Sequence, residues 1–337
     1  MFKPPIAILA VIIVFQGRHD LYFSKEETSP ARFAALHYHL GHIAGGTADS
    51  SATDPAESAV VWDVAGGKVV ASFPVAASVS CIRLSWPDLL VCGHFDGSLS
   101  SHSVTDRSTT PSGTLLQRFR LHTAPVLSLA LSESSTDLLV SGSADCSIKL
   151  WRLSTGELLK TLPNQSHWVL SSILCPPESH TVPRFKGRHL MLTMTRDDIQ
   201  LWSWENLEEL VQADLYIPLK SVTEAIQSFF FTPGLHFDGA RISFIRQMPM
   251  FDTQTIGDAD IVILSAETGK VERSVHVNQK IRKLLAIGER FAVLLLPYLD
   301  SKYKNLAVVD LVEGHIVGGA TVPHSRASTP DFSQVTF

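Results

Sequence analysis

The sequence predicts an all-β chain of four-stranded sheets set radially around an axis, and three observations carry that reading. A pattern of apolar strand, Asp-bearing turn and second alternating strand recurs along the 337 residues. Its period suits one four-stranded unit per repeat, roughly 40–50 residues with room for longer loops. Most of the second strands run into a turn with Gly (DVAGGK, RLSTGE, SAETGK, LVEGH), which is hairpin chemistry.

Each unit follows from that pattern. The first is HIAGGTADS with AVVWDV, the second LLVCGHFDGSLSSHSV, the third LLVSGSADCSIKLW and the fourth LMLTMTRDDIQLWSW. The turn acids are Asp49, Asp96, Asp145 and Asp197. The position of Trp151 is held by Trp62, His102 and Trp202, and more weakly by Ile263 and Val309. These positions lie 40, 49, 51, 61 and 46 residues apart. ENLEELVQADL (205–215) is the one helix-like stretch and falls where an outer strand and the link to the next unit belong, so a short helix or a distorted strand is expected there. The Ser/Thr/Pro-rich stretches 50–57 and 105–114 read as surface loops, and PPESHTVPRFKGRH (176–189) lengthens a loop inside the fourth unit.

Composition narrows the function class. Hydrophobic residues make up 45% and charged residues 18%, a globular balance. Lys+Arg 28 against Asp+Glu 33 gives a net charge of -5 with no basic block, which argues against a nucleic-acid partner. Cys81, Cys92, Cys146 and Cys175 are dispersed without a C-x-x-C pair, the usage expected in a reducing, intracellular compartment, cytoplasmic or nuclear. The run IAILAVIIVF (6–15) is too short for a membrane span, which takes about 20 apolar residues. A secretory signal over residues 1–17 is the alternative, but no small-x-small cleavage site follows in VFQGRHD. Its β-branched content favours a strand. Residues 1–29 are therefore read as an apolar N-terminal segment and 30–337 as the repeat domain, with 6–15 expected to pair near the C-terminal unit and close the ring.

The third unit raises a chemical question, because His122, Ser141 and Asp145 are the residue types of a catalytic triad. No G-x-S-x-G elbow or comparable signature accompanies them, and Asp recurs at the same turn in units lacking Ser and His. Structure is the better reading, and no enzyme activity is expected. His37, His39 and His42 lack a Cys or carboxylate placed to complete a tetrahedral metal set, so neither metal nor cofactor is expected. The aromatic run 229–231 precedes a turn and reads as core.

HTAPVLSLALSESSTDLLVSGSADCSIKLW resembles a WD40 repeat. The resemblance implies a β-propeller of about seven blades with the terminal blade incomplete, and a structural tetrad of His122, Ser141, Asp145 and Trp151 that locks one blade. SGSADCSIKLWRLSTGELLKTL, HWV, LHFDG and LLAIGERFAVLLL, in that order, are similar to the propeller portion of the F-box/WD-repeat proteins, from about Ala31 to about Gly319. That likeness implies a substrate receptor of an SCF-type ubiquitin ligase. The propeller would hold a protein client on its top face, and an F-box would reach Skp1 and the cullin. Nothing in residues 1–30 resembles a helical F-box, so Skp1 binding is expected only of a longer product. The alternative is a WD40 scaffold independent of ubiquitination. In phosphodegron-binding members, arginines precede the turn Asp or sit early in the inner strand. Here those positions are Ala48, Phe95, Ala144, Arg196, Leu127 and Leu170. One arginine is not a phosphate cluster. An apolar or mixed epitope centred on Phe95, Leu127 and Trp168 is expected instead, flanked by Leu170 and Arg196.

Overall fold

The computed structural model describes residues 8–15, 18–25, 33–47, 58–63, 68–85, 87–104, 114–132, 137–180, 182–219, 235–247, 259–279, 281, 283–296, 306–320 and 335–336. Six antiparallel sets of four strands consecutive in sequence follow one another along these residues, five of them sheets of four and the first joined by a fifth strand. Blade I comprises β3 (Phe33–His39), β4 (His42–Thr47), β5 (Ser58–Asp63) and β6 (Lys68–Pro74). Blade II comprises β7 (Val79–Ser85), β8 (Leu89–His94), β9 (Ser98–Ser103) and β10 (Thr114–Arg120). Blade III is β11 (Val126–Leu131), β12 (Leu138–Ser143), β13 (Ile148–Arg152) and β14 (Glu157–Leu162). In blade IV the strands are β15 (Ser171–Cys175), β16 (His189–Met194), β17 (Asp198–Trp204) and β18 (Leu215–Pro218). Blade V follows with β19 (His236–Phe237), β20 (Arg241–Gln247), β21 (Ala259–Ser265) and β22 (Val271–Val277). Blade VI ends the series with β23 (Lys283–Ile287), β24 (Phe291–Leu295), β25 (Leu306–Asp310) and β26 (His315–Ala320). The first strands of blades I to IV pack against one another in sequence, which places them innermost. The fold is a β-propeller.

The hydrophobic pattern follows from that arrangement. Middle strands are covered on both faces by neighbouring blades, so β12 and β17 are buried at every residue, while the outer strands β10 and β22 are largely exposed. Five apolar clusters result, one for each successive pair of blades. Phe73 and Val61 meet Leu90 and Cys92 between blades I and II. Val91 and Leu99 meet Leu139 and Trp151 between II and III, and Val140 and Leu150 meet Met191 and Trp202 between III and IV. Leu192 and Leu201 face Ile242 and Val262, and Ile261 and Val275 face Ala292 and Val309. Adjacent residues of one strand, such as Leu139 and Val140, therefore belong to different cores, as the two-residue period of a strand requires.

Among the described residues there are seven sheets, six with four strands consecutive in sequence and one with two, in keeping with a propeller of about seven blades. One expectation needs correction. The apolar run pairs as β1 (Ile8–Phe15) with β2 (Arg18–Lys25) in a sheet of its own, not with the C-terminal blade. Phe15 lies opposite Arg18, a hairpin register in which the nearest sequence neighbour outcompetes the distant one, because short loops close at low entropic cost. The strand that joins blade I from the far end of the chain is β27 (Val335–Thr336), parallel to β3.

The stretch 205–215 contains a single 3-10 turn, Leu207–Glu209, before β18. The long loop of blade IV carries two more, Pro177–Ser179 and Pro183–Phe185, and is not merely superficial: Val182 and Phe185 are buried in the core between blades IV and V. Asp49, the loop 50–57 and the aromatic run 229–231 lie outside the described residues, as do residues 105–113.

One turn glycine is indispensable. Gly97, between β8 and β9, has φ +81°, and a Cβ there would stand 2.4 Å from the His122 carbonyl oxygen of the next link. Gly97→Ala is expected to destabilise by about 2–3 kcal/mol, combining left-handed strain with a backbone clash. Gly318→Ala, which meets nothing within 4 Å, should be nearly neutral. Urea unfolding of both variants checks the contrast.

Candidate functional site

Blade III brings the four predicted residues together. The Trp151 indole N–H donates to Ser141 Oγ at 2.8 Å, and Ser141 Oγ lies 2.8 Å from His122 Nε2. His122 Nδ1 is 2.8 Å from Asp145 Oδ2, which also accepts from the Thr123 N–H at 3.1 Å. The second carboxylate oxygen takes the Ser147 N–H and hydroxyl, at 3.0 and 2.6 Å. An ionised Asp145 can only accept, so the His122 proton sits on Nδ1 and Nε2 accepts from the Ser141 hydroxyl. One continuous chain of donors then runs from indole to carboxylate. Burial keeps the His122 pKa below the usual imidazole value even though Asp145 pulls it upward. Burial alone would raise the Asp145 carboxyl, but the hydrogen bonds from Ser147, His122 and Thr123 outweigh it and hold the pKa below the usual carboxylate range.

The same geometry disposes of nucleophilic chemistry at this set. Ser141 is 0% exposed and its oxygen is already committed to Trp151 and His122, so no substrate atom can approach it. His122, Ser141 and Asp145 order a blade.

The other blades keep the position and change the chemistry. In blade II, His102 replaces the Trp, packs 5.1 Å from the Phe73 ring and shares the Ser100 hydroxyl with His94. Asp96 there caps its own turn, accepting the Ser98 N–H at 2.9 Å, and pairs with Arg118 at 3.4 Å. In blade IV the Trp202 indole donates to Thr193 Oγ1 at 2.9 Å. The acid position differs from expectation: Asp197 is 44% exposed at its side chain, and the buried carboxylate is Asp198, bonded to Thr195 Oγ1 and Gln200 Nε2. The indole and its hydroxyl partner are nine residues apart here against ten in blade III, so the shorter turn moves the acid into the strand. Trp62 lies opposite Ile43 in blade I. A register shift falls at Val61/Trp62, Leu150/Trp151, Ile263/Leu264 and Val308/Val309, so a bulge recurs beside this position even where the side chain is aliphatic.

Two of the three early histidines are bonded to backbone. His37 Nδ1 accepts the Leu84 N–H at 3.0 Å, and His42 Nδ1 lies 3.0 Å from the Leu40 carbonyl.

One face of the propeller is built from the turns between second and third strands and the links that enter each blade. Backbone bonds pin turn to link: Phe95 N–H to Ser78 O, Ala144 N–H to Pro125 O and Val169 N–H to Ser143 O, at 3.0, 2.9 and 3.1 Å. On this rigid frame Phe95 is 41% exposed at a turn tip. Trp168 is half-buried in the link entering blade IV, against His167 at 5.4 Å. Leu127 is the unpaired residue of the bulge between Val126 and Ser128, half-buried, where a bulge re-aims a side chain. Leu170 does not share that availability, because it packs on the core between blades IV and V. Arg196 sits in the blade IV turn with Nε 3.9 Å from Asp197, which offsets its charge. Leu121, 52% exposed in the link entering blade III, adds apolar surface that the repeat alignment had no means of flagging, since link residues lie outside the strand pattern.

Comparison with known proteins adds three findings. Residues 113–152, which span blade III through its indole, match the WD domain, G-beta repeat. The chain is 28% identical over 214 residues to the protein transport protein Sec31B of Mus musculus, covering 58% of this chain and 17% of Sec31B. It is 21% identical over 235 residues to WD repeat-containing protein 18 of Rattus norvegicus, covering 68% of this chain and 50% of that one. The chain thus spans half or less of these relatives. In architecture it resembles the crystal structure of the computationally designed Ika8 protein, with a TM-score of 0.54, 18% identity and coverage of 87% and 78% of the two chains, a likeness of fold alone. These matches support a WD-repeat propeller that acts through protein interactions.

Proposed function

We propose that the chain is a non-catalytic scaffold that grips an extended apolar or mixed peptide segment of a partner protein across the turn face of blades II to IV. The observation that carries this is Phe95: a large apolar side chain held in the open at the tip of a turn whose backbone is fixed on both sides. Exposed aromatics on preorganised turns are the residue types that dominate protein interfaces. The neighbouring Trp168 and Leu127 extend the surface, and Arg196, with Asp197 3.9 Å away, is a single guanidinium and not the cluster a phosphate calls for.

A Phe95→Ser/Trp168→Ala double variant tests the proposal. It should melt as wild type does and lose the partners that the wild-type chain retains, with Kd raised at least tenfold by loss of two aromatic anchors. Phosphatase treatment of the partners should leave capture unchanged. Undiminished capture by the double variant would overturn the reading.

A second reading, substrate recognition within an F-box/WD-type ubiquitin ligase, is supported by the ordered resemblance of the repeat units to that family. Purified Skp1 with its cullin separates the two: capture by a longer product that carries an F-box, with none by these 337 residues alone, supports the ligase, whereas the scaffold reading predicts no capture by either.

A further inference from the structure

A trough of about 540 Å³ runs between the outer edge of blade V and blade VI, walled by residues 273–278 on one side and by 311–314 on the other. The second wall is the turn joining β25 to β26. In an antiparallel sheet that turn lies at the opposite end from the β24–β25 connection, so this wall stands away from the face that carries Phe95. The first wall is β22, on which the sheet of blade V ends among the described residues. One side of its backbone therefore presents the alternating N–H and C=O groups that invite another strand.

We propose that this trough is a second binding site, which takes an extended segment of a partner protein with alternating apolar and acidic residues as an added strand along β22. Charge decides the polarity of the segment. His276 is bonded to Asp260 at 3.0 Å, and Asp260 is also held by Arg246 at 2.6 Å. Glu313, on the facing turn, is compensated by His315 at 3.4 Å and Arg290 at 3.9 Å. Arg273 is exposed, and among the described residues its side chain makes no hydrogen bond or ion pair. The uncompensated charge in the trough is thus one guanidinium, which a carboxylate satisfies best. Apolar anchoring is provided by Val271 and Val312, 58% and 68% exposed at the strand start and on the turn. Backbone pairing would supply affinity, and alternate side chains specificity, as in other strand additions. With one partner on the turn face and another on this edge, the propeller joins two proteins at once. The edge site stands whether or not the turn-face reading does.

Fluorescence anisotropy with a fluorescein-labelled octapeptide of alternating valine and glutamate tests this. The expected result is saturable binding that weakens at least tenfold on Arg273→Glu. The same variant should gain affinity for a valine–lysine twin. A valine–glutamate peptide N-methylated at alternate residues, which cannot pair with a strand edge, should not bind. Phe95→Ser should leave binding unchanged, which separates this site from the turn face. The proposal falls if saturable binding is absent up to about 1 mM. It also falls if the lysine twin binds wild type equally, if Arg273→Glu has no effect, or if Phe95→Ser abolishes binding.

Discussion

Trp151→Ala is expected to destabilise the protein by about 3–5 kcal/mol, the range for deleting a fully buried large aromatic. The indole is 0% exposed and fills the core between blades II and III beside Leu99 and Leu139, with the Phe119 ring 4.9 Å away. Its loss opens a cavity and strips Ser141 of a donor in the same step. Trp151→Phe separates the two effects: it keeps most of the apolar volume and removes only the N–H, so it should cost about 1–3 kcal/mol, the range for leaving a buried partner unsatisfied. Ser141→Ala should cost a similar amount. Because both act on one hydrogen-bonded chain, the double variant should cost clearly less than the two single ones together. Equilibrium unfolding in urea gives all four numbers. Strict additivity, or a Trp151→Ala cost below about 1 kcal/mol, would show that the four side chains do not act as a unit.

Blade III was legible because its bonding demands particular residue types at particular positions. An indole N–H, a hydroxyl, an imidazole and a carboxylate are hard to substitute without breaking the chain between them, so His122, Ser141, Asp145 and Trp151 survive as letters in the sequence. Blade IV shows how that signal degrades. Trp202 keeps a hydroxyl partner in Thr193, but the turn is one residue shorter, and alignment alone selects the exposed Asp197 where the fold buries Asp198. In blades V and VI nothing polar marks the position. What persists beside Ile263 and Val309 is the bulge, a backbone feature that any β-branched residue accommodates. The N-terminal apolar run announces a strand through its composition, yet composition does not name a partner. β2 was hidden because RHDLYFSK alternates only loosely. The candidate binding face was partly legible: Phe95 and Trp168 stand out as aromatics near turns, whereas the burial of Leu170 depends on a neighbouring blade that no local pattern encodes.

Blade II should make the protein acid-labile in a pH range where most domains are indifferent. His94 and His102 are 1% and 2% exposed, and both bond the Ser100 hydroxyl, at 2.8 and 2.9 Å. His94 Nδ1 lies 2.9 Å from the Ala77 carbonyl and so carries a proton. Its Nε2 then accepts from Ser100, while His102 donates to the same oxygen, and the set is satisfied only with both rings neutral. Burial, followed by the neighbouring His94, pushes the His102 pKa down to about 4. Burial likewise lowers that of His94, against the opposing pull of the Ala77 carbonyl and Asp96 and with a smaller contribution from Arg118 in the same downward direction. A depressed imidazole pKa means that the unfolded chain binds more protons between the two values. Stability from His102 is therefore fully present above the unfolded value of about 6.5, declines as pH falls, and is lost below about 4, and His94 acts in the same direction. For His102 the loss is on the order of 3 kcal/mol. The carboxylates of Asp145, Asp260 and Asp310 are held below their usual range, so their contributions are lost only at lower pH and do not obscure the window. Urea midpoints measured from pH 7.5 to pH 4.5 should fall steadily for wild type. His102→Phe, which keeps a ring against Phe73 and removes one titrating group, should flatten that slope even if it lowers stability at neutral pH. An unchanged slope in the variant would mean that these histidines do not govern the acid response.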